Sequence, residues 1–396
     1  MSTANPPKYV RKVLVALQSR GHMAYLVGGC VRDILLEQTP QDWDICTSAL
    51  PGQVMDIFPG SRPTGLKHGT VTVTLDERST EVTTFRAEGA YADHRRPDNV
   101  SFVGDLTTDL SRRDFTMNAM ALSLDGLLID PFGGAEDIRR RCVRCVGTPA
   151  LRFEEDALRM FRALRFAARL DFEIDPATLA AMEAKASLAR ALAAERVRDE
   201  TEKILLTKKP ETVYTLISLG LLDAFLRRRP ENAERFSRLA LLPRKALERW
   251  CGLCRLLTEG GAISSAESFL GALRLDSRTI RCSHGCAQLL ASRPPETWLE
   301  WKRMLKLFGV DTVSCAALCM DALSGGQYSK ELKSVLKSGE CFSLRHLAVG
   351  GDELVELGLK GRELGEMLNF LLDYVIEHPE NNRRELLLGL ARGTEE

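Results

Sequence analysis

The chain has little of what marks membrane, secreted or strongly basic proteins. Its 54 lysine and arginine residues equal its 54 aspartate and glutamate residues, so the net charge gives no indication of a nucleic-acid partner. No run approaches the roughly 20 apolar residues that a membrane-spanning helix needs. No signal-peptide core follows the N-terminus either. These absences predict a cytoplasmic protein with no membrane association.

Long repeats and low-complexity tracts are also missing, and 396 residues are many for one hydrophobic core. We therefore expect two or more domains. Eleven cysteines are present, but without a secretory leader disulfides are not expected. The pairs Cys251/Cys254 and Cys315/Cys319 fall at helical spacings among apolar neighbours. This pattern favours small buried side chains over a structural zinc site.

A local excess of positive charge stands out against the neutral total. The segment from Arg139 to Arg169 contains nine arginines, no lysine and three acidic residues. Any contact with phosphate or nucleic acid is therefore expected from local patches of this kind.

The first motif joins an apolar run, Tyr25 to Val27, to two glycines and a helix start. The run predicts a strand. Gly28 and Gly29 allow a sharp turn and a close approach of backbone to a ligand. A helix that begins after glycine is suited to phosphate, and Arg32 would add a charged donor one turn into it.

Two carboxylates, Asp42 and Asp44, follow in a strand-like run. Residues two apart in a strand share a face, so both side chains are expected to point the same way. Carboxylate oxygens suit Mg²⁺, which proteins hold with one or two carboxylates plus substrate phosphates. A glycine turn followed by a pair of carboxylates is the apparatus of phosphoryl transfer.

Glu81 begins a second β-rich run, which follows the strand predicted at Val71 to Leu75. If the run that Glu81 begins pairs beside the strand with Asp44, Glu81 is a third carboxylate at the metal. The alternative is a solvated glutamate at a strand start, and both interpretations stay open. The polar segment Glu88 to Asp98 predicts a mobile, functional loop.

Two later motifs offer nucleotide contacts. In the first, Arg112 and Arg113 can fork onto phosphate or ribose oxygens. Asp114 and Asn118 are four residues apart and can meet on one face to bond sugar hydroxyls. The alternative is that Asp114 caps a helix.

The second motif lies in a helix predicted over Glu154 to Leu170, whose polar face carries Asp156 and Arg159, with Arg162 and Arg165 beyond them. An aspartate accepts and an arginine donates, which matches the Watson–Crick edges of cytosine and adenine and not those of uracil and guanine. The alternative is a surface ion pair of little energy. Because the same chain also carries a predicted metal site and a predicted phosphate-binding turn, we favour the nucleotide interpretation.

Taken in order, these motifs resemble the class II tRNA nucleotidyltransferases, the CCA-adding enzymes, in the poly(A) polymerase/tRNA nucleotidyltransferase family of the DNA polymerase β superfamily. The resembling stretches are Gly28 to Asp33, Asp42 to Asp44, Arg112 to Ala119, Glu155 to Arg159 and, more weakly, Glu195 to Leu205.

The resemblance implies an α+β fold: a catalytic head with a mixed, roughly five-stranded sheet, then an all-α neck, body and tail. The corresponding ranges are 1–150 for the head, 151–206 for the neck and 207–396 for the body and tail, which would bind tRNA. Glu195 to Leu206 is expected to form a helix that braces the preceding one.

The resemblance also implies roles for individual residues. Asp42 and Asp44 would hold Mg²⁺, with Glu81 as a further catalytic carboxylate. The nucleotide would be bound by Gly29 and Arg32 at the triphosphate, Arg113 and Asp114 near the ribose, Asp156 and Arg159 at the base, and Arg162 and Arg165 in the rest of the pocket.

The implied activity is the template-independent addition of C, C and A to the tRNA 3′ end from CTP and ATP. Sibling enzymes (CC-only, A-only or poly(A) polymerases) and an RNA-binding protein with an inactive head remain alternatives. The sequence leaves the oligomeric state open.

Overall fold

The structure is a computed structural model that describes residues 6–88 and 100–393. The chain divides into two compact units, Met1–Ala224 and Phe225–Glu396. Within the described residues, every strand lies in the first unit, and the second unit is helical. The predicted α+β class is confirmed, while the domain boundaries after residues 150 and 206 stay predictions.

The first unit contains the head sheet. Seven strands form this sheet: β1 (Ala24–Val27), β2 (Asp44–Thr47), β3 (Arg62–Gly65), β4 (Thr70–Leu75), β5 (Arg78–Thr84), β8 (Ala121–Leu122) and β9 (Leu128–Ile129). Two small sheets contain the other four described strands: β6 (Arg86–Glu88) with β7 (Val100–Phe102), and β10 (Cys142–Val143) with β11 (Glu173–Ile174). The head sheet has the order β3-β4-β5-β2-β1-β8-β9. Because β2 and β5 run parallel while the other pairs are antiparallel, the sheet is mixed, as predicted.

The predicted number of about five strands was too low, since the described sheet has seven. The edge strand β3 contains Pro63 and ends in Gly65, residues typical of turns. An edge position tolerates proline because one side of the strand needs no hydrogen-bond donor. The neck is also not purely helical, because β10 and β11 form a short parallel pair.

The β4–β5 hairpin sets the register of the head sheet. Val71 and Val73 are buried, while the threonines that alternate with them, Thr70, Thr72 and Thr74, are not, as the alternating sequence predicts. Asp76 and Glu77 both have positive φ angles, 53° and 60°, and join the strands in a two-residue turn. Glu81 consequently lies in the middle of β5 and not at its start.

Helices surround this sheet and continue beyond it. They are α1 (Lys8–Ser19), α2 (Gly29–Leu35), α3 (Pro51–Ile57), α4 (Leu106–Ser111), α5 (Gly134–Arg139), α6 (Pro149–Glu155), α7 (Leu158–Leu170), α8 (Pro176–Lys185), α9 (Ala194–Leu205) and α10 (Thr212–Ser218), with 3₁₀ turns at Leu66–His68, Thr116–Asn118 and Ala186–Ala191. One core cluster joins β1, β2 and α4 through Val27, Cys46, Phe85 and Leu110.

The single helix predicted over Glu154 to Leu170 is wrong at its first turn. The chain is helical to Glu155, becomes extended at Asp156 (φ −149°, ψ 103°) and is helical again from Leu158. The Asp156 carboxylate accepts a 3.1 Å bond from the Leu158 N–H. An aspartate side chain that bonds the first N–H groups of the following helix favours an extended backbone at its own position. The spacing of apolar residues carries no signal for such a break.

The second unit is built from α11 (Ala246–Glu259), α12 (Ala266–Ala272), α13 (Ser277–Ala291), α14 (Trp298–Ser324), α15 (Tyr328–Lys337), α16 (Gly351–Glu356), α17 (Gly361–Glu377) and α18 (Arg384–Ala391), with 3₁₀ turns at Ala233–Leu241, Leu344–His346 and Pro379–Asn381. All eleven cysteines of the chain are free thiols, and ten are buried, as predicted.

The helix α14 differs from the expectation that no segment has membrane-spanning character. The helix is 27 residues long and contains an 18-residue window that is apolar enough to span a bilayer by length and composition. Half of its most apolar window is buried inside the protein, which is also typical of a core helix. Gly309, with φ 76°, breaks the helical geometry midway.

The segment predicted to be a mobile loop, Glu88 to Asp98, lies outside the described residues except for the backbone of Glu88. The strands that flank it, β6 and β7, pair antiparallel with Arg86 opposite Phe102.

Candidate active site

Three carboxylates meet at the end of the head sheet where β2 begins. Asp44 is the first residue of β2, and it lies in register with Glu81 on the parallel neighbour β5. In-register neighbours on adjacent strands present their side chains on the same face. The Thr80 hydroxyl donates to the Trp43 carbonyl and joins β5 to the chain just ahead of β2. The strand pairing on which a third carboxylate depends is therefore present, while the role of Glu81 stays a prediction.

Asp42 is arranged differently from the prediction of one shared strand. It lies in an exposed bend two residues before β2. Its charge nevertheless reaches Asp44, whose pKa is raised by burial, by Glu81 and by Asp42, while Arg113 opposes the shift. Ionised Asp44 is therefore held near like charges, an arrangement that a bound cation would relieve.

Among the described residues, no three histidine, cysteine, aspartate or glutamate side chains are arranged to hold a metal ion by themselves. Two carboxylates completed by phosphate oxygens are, however, the usual seat of Mg²⁺ in phosphoryl-transfer sites. The donor set present at Asp42 and Asp44 fits that use.

The glycine turn lies against the same charge cluster. Gly28 has φ 76°, and a Cβ atom added to it would come within 2.9 Å of the Arg113 guanidinium. A larger residue at position 28 would therefore be strained and would displace Arg113. Gly29, which starts α2, is less crowded, since its Cβ would lie 3.6 Å from Arg32 Nη2.

Arg32 is more enclosed than a simple phosphate donor would be. It is 4% exposed. Its Nε and Nη2 donate to Asp33 Oδ1 at 3.0 and 2.7 Å, and its Nη1 donates to Asn118 Oδ1 at 2.7 Å. The protein thus fixes the guanidinium from two sides. Neither Asp33 nor Asn118 was predicted as its partner, although Asp33 is adjacent in sequence.

Asp109 holds the two arginines of the second motif, a role that the sequence analysis missed. Its fully buried carboxylate accepts from Arg112 Nε and Nη2 at 3.0 and 2.8 Å, and it lies 3.5 Å from Arg113 Nη2. The available signal was its spacing of three and four residues from Arg112 and Arg113, which directly follow α4.

Asp114 is surrounded by hydrogen-bond donors. It accepts from Arg162 Nε and Nη2 at 2.8 and 2.6 Å, from Asn118 Nδ2 at 3.1 Å and from the Phe115 N–H at 2.9 Å. Burial alone would raise its pKa, but the charge of Arg162 and the hydrogen bonds lower it to about 2. The predicted pairing of Asp114 with Asn118 is confirmed.

Asp156 and Arg159 do not share one helical face, contrary to the interpretation of a continuous helix. Asp156 Oδ2 accepts a 2.7 Å bond from Arg196 on α9. Arg159, 8% exposed, is paired with Glu155 and donates to the Arg112 carbonyl at 3.3 Å. Two ion pairs therefore converge at the break between α6 and α7.

The arginines farther along α7 are also held by carboxylates. Arg165 Nε lies 2.6 Å from Glu200 on α9, so α9 braces α7 as predicted. Burial lowers the pKa of Arg165, and the charge of Glu200 opposes this. The partners Arg196 and Glu200 were missed because 40 and 35 residues separate them from Asp156 and Arg165.

The chain is similar to proteins of known type along nearly its whole length. A family model for the poly A polymerase head domain matches residues 24–144, and one for a probable RNA and SrmB-binding site of polymerase A matches residues 171–234. The CCA-adding enzyme of a Geobacillus species is 38% identical over 384 residues, which are 94% of this chain and 93% of that enzyme. The one from Limosilactobacillus fermentum is 35% identical over 385 residues, 96% and 95% of the two chains.

A solved structure agrees with these relatives. The crystal structure of the Bacillus stearothermophilus CCA-adding enzyme in complex with CTP matches with a TM-score of 0.81 and 33% identity over 98% of each chain. Nearly full-length identity at this level, together with the same fold, establishes the family. The chain is a member of the CCA-adding enzymes, which are tRNA nucleotidyltransferases.

Proposed function

We propose that this chain adds C, C and A to the 3′ end of tRNA from CTP and ATP, without a template, in the cytoplasm and with Mg²⁺ as cofactor. The similar enzymes from Geobacillus and Limosilactobacillus are named for CCA addition, and the similar solved structure contains CTP. The observation in this chain that carries the proposal is the alignment of Asp44 with Glu81 beside Arg113.

Asp42 and Asp44 are the residues that would hold the metal, with Glu81 as the third catalytic carboxylate. Mg²⁺ bound there supplies stabilisation of the charge on the attacking and leaving oxygens of an in-line displacement. The pKa of Asp44 is raised by burial first and then by the charges of Glu81 and Asp42, and a bound cation would offset both causes, which supports this role. In the reaction the tRNA 3′ oxygen bonds to the α-phosphorus and pyrophosphate leaves.

The nucleotide's phosphates and sugar are assigned to residues around the glycine turn. Gly29 offers close backbone approach, and Arg32 provides fixed positive charge behind it. The Arg113 guanidinium lies against Gly28, and its charge acts on Asp44. Arg113 is assigned to the ribose or triphosphate oxygens. Asp114 acts near the ribose, where its low pKa keeps it an acceptor at every physiological pH.

Base selection is assigned to Asp156 and Arg159 at the helix break, with Arg162 and Arg165 completing the pocket. An acceptor next to a donor matches the amino group and ring nitrogen that cytosine and adenine both offer. In the structure Asp156 is paired with Arg196, and Arg159 with Glu155. Base recognition therefore requires these ion pairs to share their atoms with the base or to rearrange.

The remaining assignments concern whole segments. Residues 1–150 are the catalytic head, 151–206 the neck that reads the base, and 207–396 the body and tail that bind tRNA. The RNA-binding family model over residues 171–234 supports an RNA contact that begins in the neck.

The test uses purified protein, Mg²⁺ and tRNA that lacks its 3′ end or stops at C or CC, with each nucleoside triphosphate alone and together. We expect ordered addition of C, C and A, followed by a stop. Arrest at CC, addition of A only to a CC end, or a long A tail would identify a sibling activity instead. Tight tRNA binding without any incorporation would contradict the proposal.

A further inference from the structure

Three arginines from the site surround the ring of one phenylalanine. The guanidinium carbons of Arg165, Arg32 and Arg162 lie 4.2, 5.2 and 5.6 Å from the centroid of Phe166. A cation within about 6 Å of a ring is attracted to its electron-rich face. Contacts of this kind occur about once per 70–80 residues, so three on one ring is a marked concentration.

The three arginines come from different parts of the first unit. Arg32 lies on α2 behind the glycine turn, whereas Arg162 and Arg165 lie on α7. Phe166 is on α7 as well and is 5% exposed. The ring thus connects the cation assigned to the triphosphate with the cations assigned to the base pocket.

Each arginine also has its own carboxylate partner, and these three carboxylates lie in different segments of the chain. Arg32 pairs with Asp33, Arg162 with Asp114, and Arg165 with Glu200. Each of these carboxylates pairs with one guanidinium group, while Phe166 is a contact that all three share. A neutral ring attracts the cations without adding negative charge, which would weaken their attraction for a triphosphate.

The position of the ring is itself fixed. Phe115 packs edge-to-face against Phe166, with ring centroids 5.8 Å apart and planes at 80°. The Phe115 N–H donates to Asp114, which accepts from Arg162. A displacement of the Phe166 ring would therefore disturb both the cation contacts and the hydrogen bonds around Asp114.

We propose that Phe166 is a positioning residue that holds Arg32, Arg162 and Arg165 in one arrangement for the incoming nucleotide. This inference rests on the proposed function, because it assigns these arginines to the nucleotide. Phe166 itself touches no substrate and acts through the cations. Its ring electrons, and not only its volume, are required.

The test replaces Phe166 with phenylalanines that carry one, two or three ring fluorines, which keep the shape but progressively weaken the attraction for cations. Phe161, fully buried on the same helix, receives the same series as the matched control. The measurements are KM and kcat for CTP and for ATP, the Kd for CTP without tRNA, and the melting temperature.

At position 166 we expect KM and Kd to rise stepwise with each fluorine, by about 2- to 30-fold in total, with kcat and the melting temperature nearly constant. The Phe161 series is expected to leave KM and Kd unchanged. Phe166→Leu, which removes the ring, should raise KM at least as far as the trifluoro variant, and Phe166→Tyr should retain most of the affinity.

A flat KM and Kd across the Phe166 series, or an equal rise in the Phe161 series, would overturn the inference. Both are distinct from a failure of the proposed function, which would appear as no CCA addition by the unmodified protein. A loss of melting temperature that accounts for the whole change in KM would also contradict a role through the cations.

Discussion

The carboxylates of the head and those near the neck are used in opposite ways. At the start of β2, Asp44 faces Glu81 and Asp42, and its pKa is raised by burial and by these like charges. Asp114, although more deeply buried, is surrounded by donors and has a pKa of about 2. At Asp44 the negative charges are not fully balanced by positive ones, so this cluster is suited to a cation that arrives with the substrate. The Asp114 charge is already neutralised and is therefore suited to hold side chains in place.

Removing Asp44 gives the largest expected effect, because Asp44 is the central carboxylate of the cluster formed with Asp42 and Glu81. We expect Asp44→Ala to lower nucleotide incorporation about a thousandfold or more, since charge on the reacting oxygens is then no longer balanced. Incorporation of labelled CTP into tRNA measures this. Binding of tRNA should be unchanged and the melting temperature should not fall, whereas substantial activity in this variant would contradict the assignment of Asp44 to the metal site.

Removing the charge of Asp114 should instead destabilise the fold. Asp114→Asn leaves Arg162 without its ion partner, and we expect a loss of about 2–3 kcal/mol in the free energy of unfolding of the first unit, measured with urea. This is less than a fully buried pair would lose, because the Arg162 side chain is 35% exposed.

The matched control for Asp114→Asn is Lys12→Ala. It removes an ion pair in which both side chains are more than half exposed, and it should change the free energy of unfolding by less than about 0.5 kcal/mol. Equal losses in the two variants would show that Asp114 has no special structural role.

The two groups should also respond oppositely to acid. The folded-state pKa of Asp114 is lowered from 3.8 to about 2, so its ionisation stabilises the fold above pH 3.8, and the stability is lost as the pH falls towards 2. The loss amounts to about 2 kcal/mol. Asp44 has a raised folded-state pKa, so its protonation favours the fold as the pH falls through that value.

Urea unfolding at a series of pH values separates these contributions. The difference in stability between wild type and Asp114→Asn should shrink between pH 3.8 and about 2. The difference between wild type and Asp44→Asn should favour the variant near neutral pH and also shrink in acid. A pH-independent difference in either comparison would contradict the corresponding assignment.

The smallest expected effect concerns nucleotide choice. Asp156→Ala removes the proposed base acceptor, and we expect the preference for CTP over UTP to fall about tenfold, close to the value of one hydrogen bond. Competition between labelled CTP and UTP measures it. Arg196→Ala is the control, because it frees Asp156 from its ion pair without removing the acceptor. Unchanged selectivity in Asp156→Ala would contradict the base-edge hypothesis.

Local pattern was sufficient for much of the fold. The strand before Gly28, the threonine-valine strand β4 and the helix α9 follow from period and residue type, which act over a few residues. The contact between Asp114 and Asn118 was also predicted, but it is not made along a helical turn, because Phe115 is extended and only Thr116–Asn118 forms a 3₁₀ turn. The edge strand β3 was missed because Pro63 signals a turn unless the strand is known to lie at an edge.

Residue type and short spacing along the chain were enough to predict the glycine turn, the carboxylate pair Asp42 and Asp44, and the arginine-rich segment. The partners of these residues could be identified only in the folded protein. Glu81 lies beside Asp44 because two parallel strands pair in register, and Arg162 reaches Asp114 across 48 residues of chain. Phe166 among three arginines has the same origin. Such contacts depend on packing between distant segments, which local periodicity does not encode.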